Sequence, residues 1–194
     1  MKKRGGGKAK GAAFERDICR RLSLWYTNGK QDDVFWRSAI SGGRATTSGR
    51  TTYFYHSKGK RPRIGRREAK ELPHVAGDVC AVHPEGFKFV DEWFVECKHV
   101  RDLQLHRFLI AQGKLWVFWI QACTQAEQHH KLPMLIARQS GGFPELLLLD
   151  IAGWAKLRKE GKLQYARAVI DESTFVCMLS DLLGARNGAK TRSK

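Results

Sequence analysis

The chain has 194 residues, 42% of them hydrophobic, which is enough for one domain with a sizeable core. Its 35 Lys and Arg against 19 Asp and Glu give a formal charge of +16, a surplus that favours a polyanionic partner, nucleic acid above all. No apolar run reaches bilayer-spanning length, and the basic start MKKRGGGKAKG lacks the apolar segment of a secretory signal, so no membrane role is expected. Cys19, Cys80, Cys97, Cys123 and Cys177 show neither zinc-knuckle spacing nor a disulfide framework, which points to a reducing, intracellular (cytoplasmic) setting.

Residues 1–10 and 184–194 read as basic flexible tails, with one domain over 11–183. GAAFERDICRRLSLWY, residues 11–26, predicts a helix. Phe14, Ile18, Leu22 and Trp25 form its apolar stripe, and Glu15 borders that stripe. After Asn28-Gly29, VFWRSAISGGR predicts a strand running into a Ser-Gly-Gly turn. A long basic insertion, residues 44–72, follows. It carries Arg44, Arg50, Lys58, Lys60, Arg61, Arg63, Arg66 and Arg67, with Tyr53, Phe54 and Tyr55 interleaved. It reads either as a disordered insertion or as an arm that tracks phosphates while its aromatics stack on unpaired bases. Both hold if DNA orders the segment.

HVAGDVCAV predicts a short strand led by Asp78, HPEG a turn, and FKFVDEWFVECKHV a second strand. A hairpin or meander would then set Asp78 beside Glu96. Strand alternation puts Phe94, Glu96 and Lys98 on one face and Trp93, Val95 and Cys97 on the other. Further on, LQLHRFLIAQGKLWVFWIQACTQAEQHH predicts a helix broken near Gly113. LPMLIAR and GGFPELLLLD predict strands, a helix begins near Ile151, and ESTFVCMLSDLLGA predicts a closing helix that stops at Gly184. Mixed strands and helices make the class α/β. Trp116, Phe118 and Trp119 read as core or as a subunit interface.

Taken alone, Glu96 and Lys98 read as a Glu/Lys pair at a strand edge or as a pair satisfied within the fold. With Glu15 and Asp78 they match another need. Phosphodiester cleavage requires neutralised phosphate oxygens and an activated water, which Mg2+ supplies when held by a few carboxylates. Asp78 and Glu96 would hold the ion, the Cys97 carbonyl would complete its shell, and Lys98 would face the same phosphate. The order GDV then ECK resembles the PD-(D/E)-x-K nuclease superfamily, with Ala76-Gly77 where the proline is usual. Within it the pattern is similar to archaeal-type and phage Holliday junction resolvases, through Phe14-Glu15-Arg16 on a first helix and RSAISGG, Arg37 to Gly43.

That resemblance covers roughly residues 11–138. It implies a restriction-endonuclease-like core, a central mixed β-sheet flanked by helices. The implied activity is a Mg2+-dependent endonuclease, with Mn2+ as a substitute, that acts as a homodimer on four-way DNA junctions. Glu15, Asp78 and Glu96 carry over as metal-site acids and Lys98 as the catalytic lysine. Arg37 and Ser41 would lie near the scissile phosphate, and Gln121 or Gln125 would support the site. The long insertion, and the residues after about Leu149, have no counterpart in that pattern. Two rivals stay open: another structure-dependent or restriction-type nuclease, and a basic packaging protein that binds DNA without cutting it.

Overall fold

A computed structural model of the protein describes residues 6–38, 52–53, 64–65 and 77–184. Helix α1 (Gly6–Tyr26) carries the expected stripe, with Phe14, Ile18, Leu22 and Trp25 all buried. It begins five residues before the predicted start, so residues 6–10 are helical and not tail; Ala9, Ala12 and Ala13 are strong helix formers. The buried Ser23 hydroxyl accepts the Phe35 N–H at 2.8 Å, which ties the next strand, β1 (Phe35–Arg37), to the helix.

Within the insertion, β2 (Thr52–Tyr53) and β3 (Ile64–Gly65) form a two-rung antiparallel ladder. Strand β4 (Val79–Ala81) pairs antiparallel with β1. The predicted hairpin between Asp78 and Glu96 is not what forms. A 3-10 turn over Pro84–Gly86 leads into helix α2 (Phe87–Glu92), and only then does β5 (Trp93–Val100) start. The alternating look of Phe87-Lys88-Phe89 concealed a helical turn that buries Phe89 and Val90 together, Phe89 lying against Trp25, Phe35 and Trp93. With a helix as the connection, the Asp78 segment meets β5 in parallel, through a single bridge between Gly77 and Val95.

The predicted break near Gly113 separates α3 (Leu105–Phe108) from α4 (Gly113–Gln128). Strand β6 (Leu132–Gln139) runs parallel to β5 over all eight residues, and β7 (Leu146–Asp150) runs antiparallel to β6. Helix α5 (Ile151–Lys159) is capped by the Asp150 carboxylate, which accepts the Gly153 N–H at 2.7 Å. The closing segment corrects the predicted single helix: after β8 (Ala168–Ile170), Thr174–Met178 is strand β9, and only Leu179–Gly184 is helix α6. Thr174 is buried and accepts the Trp119 indole N–H at 2.9 Å, and Phe175 stacks on Trp154. Tertiary partners of this kind favour β structure in a stretch of β-branched and aromatic residues.

The sheet order is β5-β6-β7-β9-β8, mixed in direction. Alternate residues of β6 serve two cores. Met134 and Ile136 pack toward α1, and Leu135 and Ala137 toward α4. A strand buried on both faces reads as the near-continuous apolar run seen here. The fold is α/β, a mixed sheet between helical layers, and is compatible with the expected restriction-endonuclease-like core. No helix among the described residues is long and apolar enough to cross a membrane.

Candidate active site

Gly77 sets the geometry. Its φ is +83°, and a Cβ there would stand 2.5 Å from the Val95 carbonyl oxygen. Only glycine combines that conformation with so close an approach. The approach lets Asp78 donate its N–H to the Val95 carbonyl at 2.8 Å and accept the Ser38 N–H on its own carbonyl at 2.8 Å. The Asp78 carboxylate then takes the Cys97 N–H on Oδ2, also at 2.8 Å. Asp78 is thus fixed by the backbones of both β5 and the end of β1.

Glu96 and Lys98 share one face of β5, as alternation requires, and their side chains form an ion pair. The Lys98 ammonium also lies 5.5 Å from the ring centre of Phe118 on α4. Glu15, on α1, is paired with Arg37 at the end of β1. Asp78 and Glu96 are 5% and 7% exposed, deep for two acids. Burial, then the charge of Glu96, pushes the Asp78 carboxyl up to about 7 against the pull of the Cys97 N–H; Glu15 adds to the rise and Lys98 opposes it. Burial works to lower the Lys98 ammonium, but Glu96 outweighs it and holds that group above its ordinary value. Three acids, from a helix, a bridge and a strand, therefore act on one another at one place.

Among the described residues, no group of three His, Cys, Asp or Glu side chains is arranged to hold a metal ion. Glu15 is engaged with Arg37, which leaves two carboxylates. Asp78 Oδ1 and Glu96 Oε2 make no hydrogen bond among the described residues. The Cys97 carbonyl lies on the same side of the strand as its N–H, toward Asp78 and away from β6. Burial pushes the Cys97 thiol well above its ordinary value, so only its backbone offers a donor. Two carboxylate oxygens and a carbonyl suit a hard cation that keeps several waters, and the crowding of the two acids is what such a cation relieves.

A family model described as "Phage putative PDDEXK endonuclease" matches residues 6–182. The chain belongs to this family. No curated protein and no solved structure matches it. Membership places the chain in the PD-(D/E)xK nuclease superfamily and makes it a DNA endonuclease by kind. The match runs into α6, so residues 150–182, without counterpart in the resolvase-like pattern, are part of the family pattern.

In this family member the structure brings Glu15, Arg37, Asp78, Glu96, Cys97 and Lys98 together. Gln121 on α4 is exposed and Gln125 half-buried, and neither side chain makes a hydrogen bond among the described residues. Ser41, Arg44, Arg50, Tyr55, Lys58, Lys60, Arg61, Arg63, Arg66 and Arg67 lie outside the described residues; Tyr53 falls in β2. Sequence reasoning missed Gly77 and Ser38 as supports of Asp78. The Gly-Asp pair was the available signal for the first; nothing in the pattern marked the second.

Proposed function

We propose that the chain is a divalent-metal-dependent endonuclease that hydrolyses phosphodiester bonds in branched DNA, and that it is a Holliday junction resolvase. The observation that carries the metal site is the convergence of buried Asp78 on the Glu96–Lys98 pair through the Gly77–Val95 contact. Asp78, Glu96 and the Cys97 carbonyl would hold the ion, with Glu15 acting on the same site from α1. When bound, Mg2+ supplies charge neutralisation at the phosphate and an activated water. Lys98, which pairs with Glu96 at this place, would orient or help deprotonate the attacking water and offset the charge that develops on the phosphate. The charge of +16 supports a long electrostatic contact with DNA, and the Arg44–Lys70 segment is its arm.

The resolvase assignment draws on the order of four motifs, Phe14-Glu15-Arg16, RSAISGG, GDV and ECK. Two symmetric cuts call for a two-fold dimer. Trp119 is not available to its interface, being 3% exposed and bonded to Thr174. Val117 and Ile120, exposed on the outer side of α4, are the better candidates. The test is Mg2+-dependent cleavage of a four-way junction beside linear duplex, flap and single strand. A resolvase cuts the junction preferentially and in paired positions. Equal cutting of all four leaves a general nuclease, and cutting of none leaves a DNA-binding protein.

A further inference from the structure

Just past Lys98, on the α1 side of the sheet, the ends of β5 and β6 present a second cluster of donors. The Ser140 hydroxyl donates to the Val100 carbonyl at 3.2 Å, and its oxygen receives the Lys10 ammonium of α1 at 3.3 Å. The His99 Nε2 lies 3.4 Å from the same oxygen, and the imidazole packs against Phe14 at 5.4 Å between ring centres. No carboxylate lies within ion-pair distance of Lys10 among the described residues. Nearby Arg138 shares one acid, Glu145, with Arg21.

A lysine brings three N–H donors, and Ser140 takes one of them. The others are unspent by any charge partner among the described residues, on an exposed side chain that a serine hydroxyl holds in place. An ammonium fixed by a neutral hydroxyl keeps its full charge for an outside anion. We propose that Lys10, Ser140 and His99 form a subsite for a DNA phosphate that flanks the scissile one, with Lys10 the contacting group and Ser140 the residue that positions it. The location fits. His99 lies three residues beyond Glu96 along β5, about 10 Å, on the opposite face of a strand that forms the edge of its sheet, so a DNA strand that follows this edge can meet both. Phe14, which packs on His99, adjoins Glu15, and Lys10 lies five residues before Glu15 on the same helix. The proposal rests on the assignment of the Asp78–Glu96–Lys98 site, yet its test does not need cleavage.

The test measures binding of the full chain to a short fluorescein-labelled duplex in chelator, between about 50 and 200 mM salt. Lys10→Ala should lower the slope of log affinity on log salt by about 0.9, the loss of one phosphate contact. Ser140→Ala should weaken binding in the same direction, with no further loss when added to Lys10→Ala, since the serine acts through the lysine. Lys10→Arg should restore the slope. Lys159→Ala, an exposed lysine on α5, is the control and should change nothing. In cleavage, Lys10→Ala should raise KM and leave kcat, whereas Lys98→Ala should lose kcat with its salt slope kept. An unchanged slope in Lys10→Ala, or additive losses in the double variant, overturns the subsite and leaves the nuclease assignment standing. Normal cutting by Lys98→Ala overturns that assignment instead.

Discussion

Replacing Gly77 by Ala tests how the backbone builds the site. An L-residue at φ +83° costs about 1–2 kcal/mol. The added Cβ would stand 2.5 Å from the Val95 oxygen, where ordinary contact begins near 3.4 Å, so the two segments must part by roughly 1 Å. That separation weakens the bond from the Asp78 N–H to the Val95 carbonyl, worth about another 1 kcal/mol. We expect a total loss of roughly 2–3 kcal/mol in urea unfolding. Cleavage should fall by about 100-fold, because Asp78 is displaced by the same ångström. Gly29→Ala separates the two effects. Its φ is +81°, but nothing lies within 4 Å of the new Cβ. It should cost only the conformational 1–2 kcal/mol and leave cleavage intact. Equal behaviour of the two variants, in stability and in cutting, would refute the claim that the Gly77–Val95 approach sets the site.

The raised Asp78 carboxyl makes a pH prediction. Its folded value of about 7 lies above the ordinary 3.8, so the protonated acid is favoured in the fold and its contribution to stability is lost as pH rises from about 4 through 7. In chelator Asp78→Asn should therefore be more stable than wild type at pH 8 and close to it at pH 4, checked by urea midpoints at both; a wild type that matches the variant at pH 8 contradicts the burial argument. Trp119→Phe leaves the buried Thr174 hydroxyl without its indole partner and should cost about 1–2 kcal/mol in thermal unfolding, with DNA affinity unchanged. Ca2+ should support junction binding with little turnover, since its larger, looser shell holds water and phosphate less rigidly than octahedral Mg2+; comparable single-turnover rates in the two ions would count against the oxygen set at Asp78, Glu96 and Cys97.

The parts of the fold that were legible were those with a long, strong period. The α1 stripe and the two-faced apolar run of β6 are examples, and so is the alternation that pairs Glu96 with Lys98. Short elements were not legible. Residues 87–92 alternate as a strand does, but their burial follows a helical turn, and the error reversed the direction in which Asp78 approaches β5. Thr174–Met178 looked helical because its strand character comes from Trp119, Trp154 and β7, all distant in sequence. The site survived these errors because Asp78 needs only one bridge to reach β5, in either direction. The contact between Lys10 and Ser140 spans 130 residues, a separation no local pattern reports.

The most direct measurement is Mg2+-dependent cleavage of a labelled four-way junction by wild type, Glu96→Ala and Lys98→Ala, each shown beforehand to bind that junction in chelator. Removing either side chain takes away metal or water chemistry while the many phosphate contacts persist. The expected result is paired cuts by wild type and no product from either variant, with binding within a few-fold of wild type. Near-wild-type cutting by either variant would place the chemistry elsewhere in the chain.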